Sequence, residues 1–331
     1  MSEQWLVEGP KVIDVGAEDE QVRALVVALV GGHVDVVTHD DSPTARVEVS
    51  QVEGLPVRVS WDGKNLRVMH GKEAGESVLD ALRRVFEAMG RTSAVVSVSV
   101  PAQAKVSVNT VTAAAVVSGL RKGVKANTVS GSVTLSDIEG GVSVNNVSGA
   151  VECVDLHGAA RLVTVSGGVT VQSSELPTAK LNTVSGEVVL DLSNGKADIA
   201  SNSVSGDVTI RAPFSGYAVT GNSASGRVVV DGRAMGRPQS RSAGASGSLR
   251  EGDESLRIKA NSVSGNVTLL RTGAGAPAGP QDAPTAPVDR PAPPTDADTE
   301  PVGDPQDAPA WPTPADHERG QWDREQGGQA S

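Results

Sequence analysis

Asp137 and Asp155 stand 18 residues apart in a chain that repeats itself at about that interval. If successive repeats stack, their carboxylates lie about 5 Å apart, close enough to bind a cation or to raise each other's pKa. Ser173 and Leu192 occupy the next equivalent places, so the carboxylate column stops at two, and solvated turn residues are the favoured reading. His33, His39, His70, His157 and His317 are scattered without the spacing of a metal motif. Cys153 falls in a column otherwise filled by Leu, Val and Ile, the place of a small buried hydrophobe rather than an activated nucleophile. The serine of the recurrent Val-Ser-Gly lacks the G-x-S-x-G context of a nucleophile elbow, and no phosphate-binding glycine loop or dinucleotide fingerprint is present. The expectation is a protein without catalytic residues, metal or cofactor.

What remains is a recurring asparagine. Asn109, Asn127, Asn145, Asn182, Asn202, Asn222 and Asn261 each stand two residues before a marker position, which Val163 and Ala243 interrupt in the Asn column. The markers are Val111, Val129, Val147, Val165, Val184, Val204, Ala224, Ala245 and Val263, a period of about 20 that signifies stacked supersecondary units. Four and six residues after the marker come apolar columns such as Val133, Val151, Val169, Val188 and Leu135, Cys153, Val171, Leu190. Five residues before it runs another: Val106, Val124, Val142, Ala160, Ala179, Ile199. Alternation at period two makes each a strand with one buried face. Two strands per unit, with identical residues kept in columns, predict a single-chain parallel β-solenoid of right hand. In that frame the marker valine points inward, and the chain turns at the Asn column, whose side chains can hydrogen-bond locally or to the Asn stacked above.

The sequence outside the array divides it into three parts. Residues 1–92 read as further β units, with Val30 as marker and Val34 and Val36 as its apolar pair, followed by one short amphipathic helix from Ser77 to about Met89. Residues 93–271 are the regular array. Residues 272–331 hold 12 of the 19 prolines and no Leu, Ile, Phe or Met, the composition of a disordered tail. That tail carries 11 acidic and 3 basic residues, hence −8 of the chain's −11 net charge. An acidic balance argues against nucleic-acid binding. The longest apolar stretch, residues 24–30, is too short to span a bilayer, so direct membrane insertion is not expected. With no signal-peptide pattern at the N-terminus, the default location is the cytoplasm.

The run of V-S-G-x-V-x-L units preceded by Asn-Thr, with "VSVSVPAQAKVSVNTV" at 96–111 leading into it, resembles the bacterial β-strand-repeat proteins labelled "putative adhesins", or toastrack-type domains, over roughly residues 20–271. The resemblance implies a single-chain β-solenoid and, by analogy with some members, a link to cell-envelope stress or adhesion. It supplies no catalytic residues.

The functional expectation is a scaffold or interaction module for a protein partner. A carbohydrate-binding or carbohydrate-active β-helix is the alternative, and end-to-end self-association a third reading. Arg233, Arg237 and Arg241, in a segment that breaks the frame, and Trp311 and Trp322, in the tail, are the candidate contact residues outside the array.

Overall fold

A computed structural model describes residues 2–16, 20–71, 92–235 and 246–272. The predicted helix near 77–89, the tail from 273 onward, Arg237, Arg241, Trp311 and Trp322 lie outside the described residues.

The described residues form one 24-stranded sheet. Its centre is built from parallel pairs in the register that the repeat dictates. Strands β9 (Lys105–Thr110), β11 (Val124–Thr128) and β13 (Val142–Ser148) lie side by side with Val106, Val124 and Val142 aligned. Strands β10 (Ala114–Ser118) and β12 (Val133–Glu139) start a second ladder, in which Ala115 aligns with Val133. The long strands β14 (Val151–Ser166) and β15 (Val169–Ser185) run through both ladders and make them one sheet. Beyond them β16 (Val188–Leu192) and β18 (Val208–Ala212) extend one ladder and β17 (Ala197–Ser205) the other.

Both ends of the stack are antiparallel. At the N-terminal end, β1 (Glu3–Val7) pairs with β6 (Val57–Trp61), which pairs with β7 (Asn65–His70). There too, β2 (Lys11–Val15) pairs with β5 (Ala45–Glu53), and β5 with β8 (Ser93–Pro101). Parallel strands β3 (Ala24–Leu29) and β4 (Gly32–His39) join this end to β9 and β10. At the other end, β19 (Tyr217–Ser223) pairs with β22 (Ser246–Glu251), and β20 (Val228–Val230) with β21 (Arg233–Met235), both antiparallel.

The expected single-chain parallel β-solenoid is therefore corrected. The fold is an all-β one in which a mixed sheet wraps nearly closed, like a barrel, around one apolar interior, with no helix among the described residues. Period-two alternation marks a half-buried strand but is identical for parallel and antiparallel neighbours, so the terminal strands gave no warning.

Chain order and stacking order also part company. Strands β23 (Leu256–Ser264) and β24 (Val267–Arg271) lie between the 204 and 224 repeats: β17 pairs with β23, which pairs with β19, and β18 with β24, which pairs with β20. The repeat expected around Ala245 supplies no parallel strand. Leu249 sits instead in antiparallel β22, opposite Val219.

Val, Leu, Ile and Ala fill the interior in columns, from Val34 and Val36 through Val133, Val151, Val169, Val188 and Val208 to Val267. Phe214 and Tyr217 lie inside this core, edge to face at 5.5 Å between centroids.

Candidate functional site

Along the strands before each turn, positions −5, −3 and −1 relative to the marker face inward and positions −4, −2 and 0 face out. Thus Val124, Ala126 and Thr128 are buried, whereas Lys125 and Val129 are exposed and Asn127 is half-exposed. The marker valines were expected inside. They are outside, with Val129, Val147, Val165, Val184, Val204 and Val263 between 44% and 52% exposed. The turn falls later, at the glycine two residues on: Gly149, Gly167, Gly186 and Gly206 all have φ between +123° and +141°. Strand geometry continues through the Asn column up to the following serine, so the valine keeps the outward parity of the asparagine.

The asparagines form two hydrogen-bonded runs. Asn127 Nδ2 donates to Asn109 Oδ1 and Asn145 Nδ2 to Asn127 Oδ1, each at 2.8 Å. Val163 aligns between Asn145 and Asn182 and divides the runs. In the second run Asn202 donates to Asn182 at 2.9 Å, Asn261 to Asn202 at 3.0 Å and Asn222 to Asn261 at 3.0 Å. Asn222 is therefore separated from Asn202 by Asn261, as the strand order requires. Asn127→Val removes two bonds and is expected to cost about 1 kcal/mol. Asn182→Val, at the end of a run, removes one and costs about half as much. Urea denaturation midpoints of the two variants check the ranking.

Inward of the asparagines runs a column that the sequence reading passed over: Thr110, Thr128, Asn146, Thr164, Thr183, Ser203, Ser223 and Ser262, all buried. Several serve the turn. Gly131 N donates to Thr128 Oγ1 at 3.1 Å, Asn146 Nδ2 donates to Gly149 O at 2.7 Å, and Gly226 N donates to Ser223 Oγ at 2.8 Å. The signal was present as a small polar residue directly before every marker but Ala245.

Between the Asn and Val columns lies an apolar groove of ≈ 550 Å³, lined in part by Val30, His70, Val111, Val129, Val147 and Val165. His70 Nδ1 accepts a hydrogen bond from Val30 N at 2.9 Å, which leaves the ring proton on Nε2, a buried atom without a partner. Burial lowers the His70 pKa to about 4. The unfolded chain therefore binds a proton near pH 6.5 that the folded chain refuses until about pH 4, so stability falls as pH drops through that window. The loss expected is on the order of 2 kcal/mol after allowance for partial solvent screening. Thermal melts at pH 7 and pH 5 check it, because His70→Gln removes this slope. Asp14, Asp62 and Asp253, whose pKa values are held low chiefly by hydrogen bonds from Arg46, Asn65 and Ser215, lose their stabilising contribution only in more acid solution.

The other candidates do not assemble into a reactive centre. Asp137 and Asp155 both take left-handed backbone within strands β12 and β14, φ 52° and 57°, as does Ser173 within β15 at 50°. Asp155 Oδ1 faces His157 Nε2 at 3.0 Å, and His157 Nδ1 lies 3.6 Å from Glu175 Oε2, all on the surface. Among the described residues no group of three or more His, Cys, Asp or Glu side chains is placed to hold a metal ion. Cys153 is fully buried, and burial pushes its thiol up to about 12, far from a nucleophilic thiolate. Arg233 is exposed on β21, 3.5 Å from Glu251. Among the described residues no helix is long and apolar enough to cross a membrane.

A family model described as Toastrack DUF4097 matches residues 23–270, the whole of the parallel array. The chain belongs to the Toastrack DUF4097 family. No functionally curated protein matches this toastrack chain. Among solved structures it is similar to a "putative adhesin" from Bacteroides fragilis, at 8% identity over 78% of this chain and 97% of that one, with a TM-score of 0.42. A second "putative adhesin", from Parabacteroides distasonis, matches at 12% identity over 80% and 98% with a TM-score of 0.37. A "putative lipid binding protein" from the same species matches at 12% identity over 79% and 97%, with a TM-score of 0.35. The cytoplasmic location expected from the sequence is corrected at this point: neither the described residues nor the Toastrack DUF4097 match places the chain in the cytoplasm. The N-terminal ten residues of a toastrack chain assign no compartment.

Proposed function

We propose that this toastrack chain is a non-enzymatic interaction module that binds protein through the outward face carrying the Val and Asn columns. One observation carries the reading. Six valines that a monomer would ordinarily bury are held in register on the surface, about half exposed, beside hydrogen-bonded asparagines. Contiguous apolar surface of this kind marks sites of association. Among the described residues Phe214, Tyr217 and Trp61 are buried and Trp5 is partly buried against the core, which disfavours a carbohydrate platform.

The test places a photo-crosslinking residue at Val184, on the proposed face, or at Thr209, which points outward from the other ladder. Protein adducts formed from Val184 and not from Thr209 support the reading. Equal yields from both positions refute it.

A further inference from the structure

We propose that the partner which fits this face is a second copy of the chain, in an isologous dimer packed along the Val column. The inference rests on the reading above, that this face is an interaction surface, and goes further by naming the occupant. Charge selects it. Two positions before the asparagines the outward column carries Lys125, Arg161, Lys180 and Lys259, all exposed. Three positions after the valines come exposed Glu187 and Asp207, with Arg227 in the equivalent place after Ala224 at the end of the stack. Between these flanks the Asn, Val and Ser columns are neutral. Over its middle rungs the face is thus basic on one side of an apolar ridge and, at Glu187 and Asp207, acidic on the other.

Only one two-fold axis satisfies that asymmetry. An axis running across the stack would set lysine column on lysine column. An axis parallel to the stack, passing between the Asn and Val columns, keeps each repeat opposite its own counterpart. It lays the valine ridge of each copy along the asparagine groove of the other and carries Lys180 over the partner's Glu187. Opposite charges then meet at both flanks, which fixes register and disfavours the alternative. Size agrees as well. About seven rungs at roughly 4.8 Å, over a width of about 20 Å, give a patch on the order of 700 Å², near the ~800 Å² that each partner contributes to a standard interface.

Sedimentation velocity of the full chain across a micromolar concentration series tests the dimer. Lys180→Glu and Glu187→Lys are each expected to weaken dimerisation at least tenfold, by setting like charges opposite one another. The double variant Lys180→Glu/Glu187→Lys exchanges both sides and should return to within about threefold of the parent. Val165→Asp/Val184→Asp should abolish dimerisation with little change in the monomer's melting temperature. A chain that stays monomeric throughout, or a double variant that fails to recover, overturns the proposal. If the monomeric chain still gives Val184-specific adducts with another protein, only the identity of the occupant is refuted and the binding face stands. A dimer indifferent to the valine and charge substitutions overturns the proposal by placing the contact elsewhere.

Discussion

Val188→Asp is expected to unfold the protein at ordinary temperature. Val188 is 1% exposed and stands in the inner column between Val169 and Val208, each of which it meets in parallel register. The interior there is Val, Leu and Ile, with no donor to receive a carboxylate. A lone charge in such a place either ionises without partners or takes up a proton at the cost of a strongly raised pKa. Either route costs about 4 kcal/mol or more, a large share of the stability of a typical domain. The adjacent Val189 points the other way and lies between Thr170 and Thr209. Val189→Thr should therefore leave the urea midpoint nearly unchanged, within about 0.5 kcal/mol. Comparable losses for the two variants would mean that the register is wrong.

Gly186→Ala should be nearly as damaging, for a reason of backbone rather than solvation. Gly186 has φ +141°, a region in which a side chain is strained. A Cβ there would also overlap the carbonyl oxygen of Gly167 on the neighbouring rung. Gly206 makes the same approach to Gly186, and Gly167 to Gly149, so neither neighbour can withdraw without disturbing the next turn. Strain and overlap together are expected to cost roughly 3 kcal/mol. Gly168→Ala is the control, because its Cβ would meet only Glu187 O at 3.9 Å, an ordinary contact. Thermal melts of the two alanine variants should differ by many degrees. Equal melting would show that the turn relaxes.

These two sites show what the sequence could and could not disclose. Columns of Val at +4 and +6 and at −5 are legible because burial selects composition at every repeat, and stacking keeps the columns in phase. The family resemblance is legible for the same reason. The marker valine was misplaced because β-branched residues suit a strand on either face, and hydrophobicity alone does not say which. The glycine two residues on was the better clue: a turn that needs left-handed backbone can sit there and not at Asn182, whose strand continues to Ser185. The insertion of β23 between β17 and β19 left no trace in the repeat. Residues 204, 224 and 263 carry the same motif, and any order of stacking satisfies the same columns. The proposed interaction face was legible only in part, as the Asn column. Its apolar ridge depended on a parity that the structure reverses.

The seating of the last two strands bears on how the chain is made. As it leaves the ribosome, repeats can dock one upon another in order as far as β17 and β18. The next arrivals, β19 and β20, have no place on that surface, since the seats beside β17 and β18 belong to β23 and β24. They must wait, held only by their antiparallel partners β21 and β22, until residue 271 has emerged. Completion is then a single non-sequential event in which β23 and β24 enter between two surfaces already formed. A nascent chain halted before residue 256 leaves the β17, β18, β19 and β20 edges unpaired, and one that passes residue 271 pairs all four.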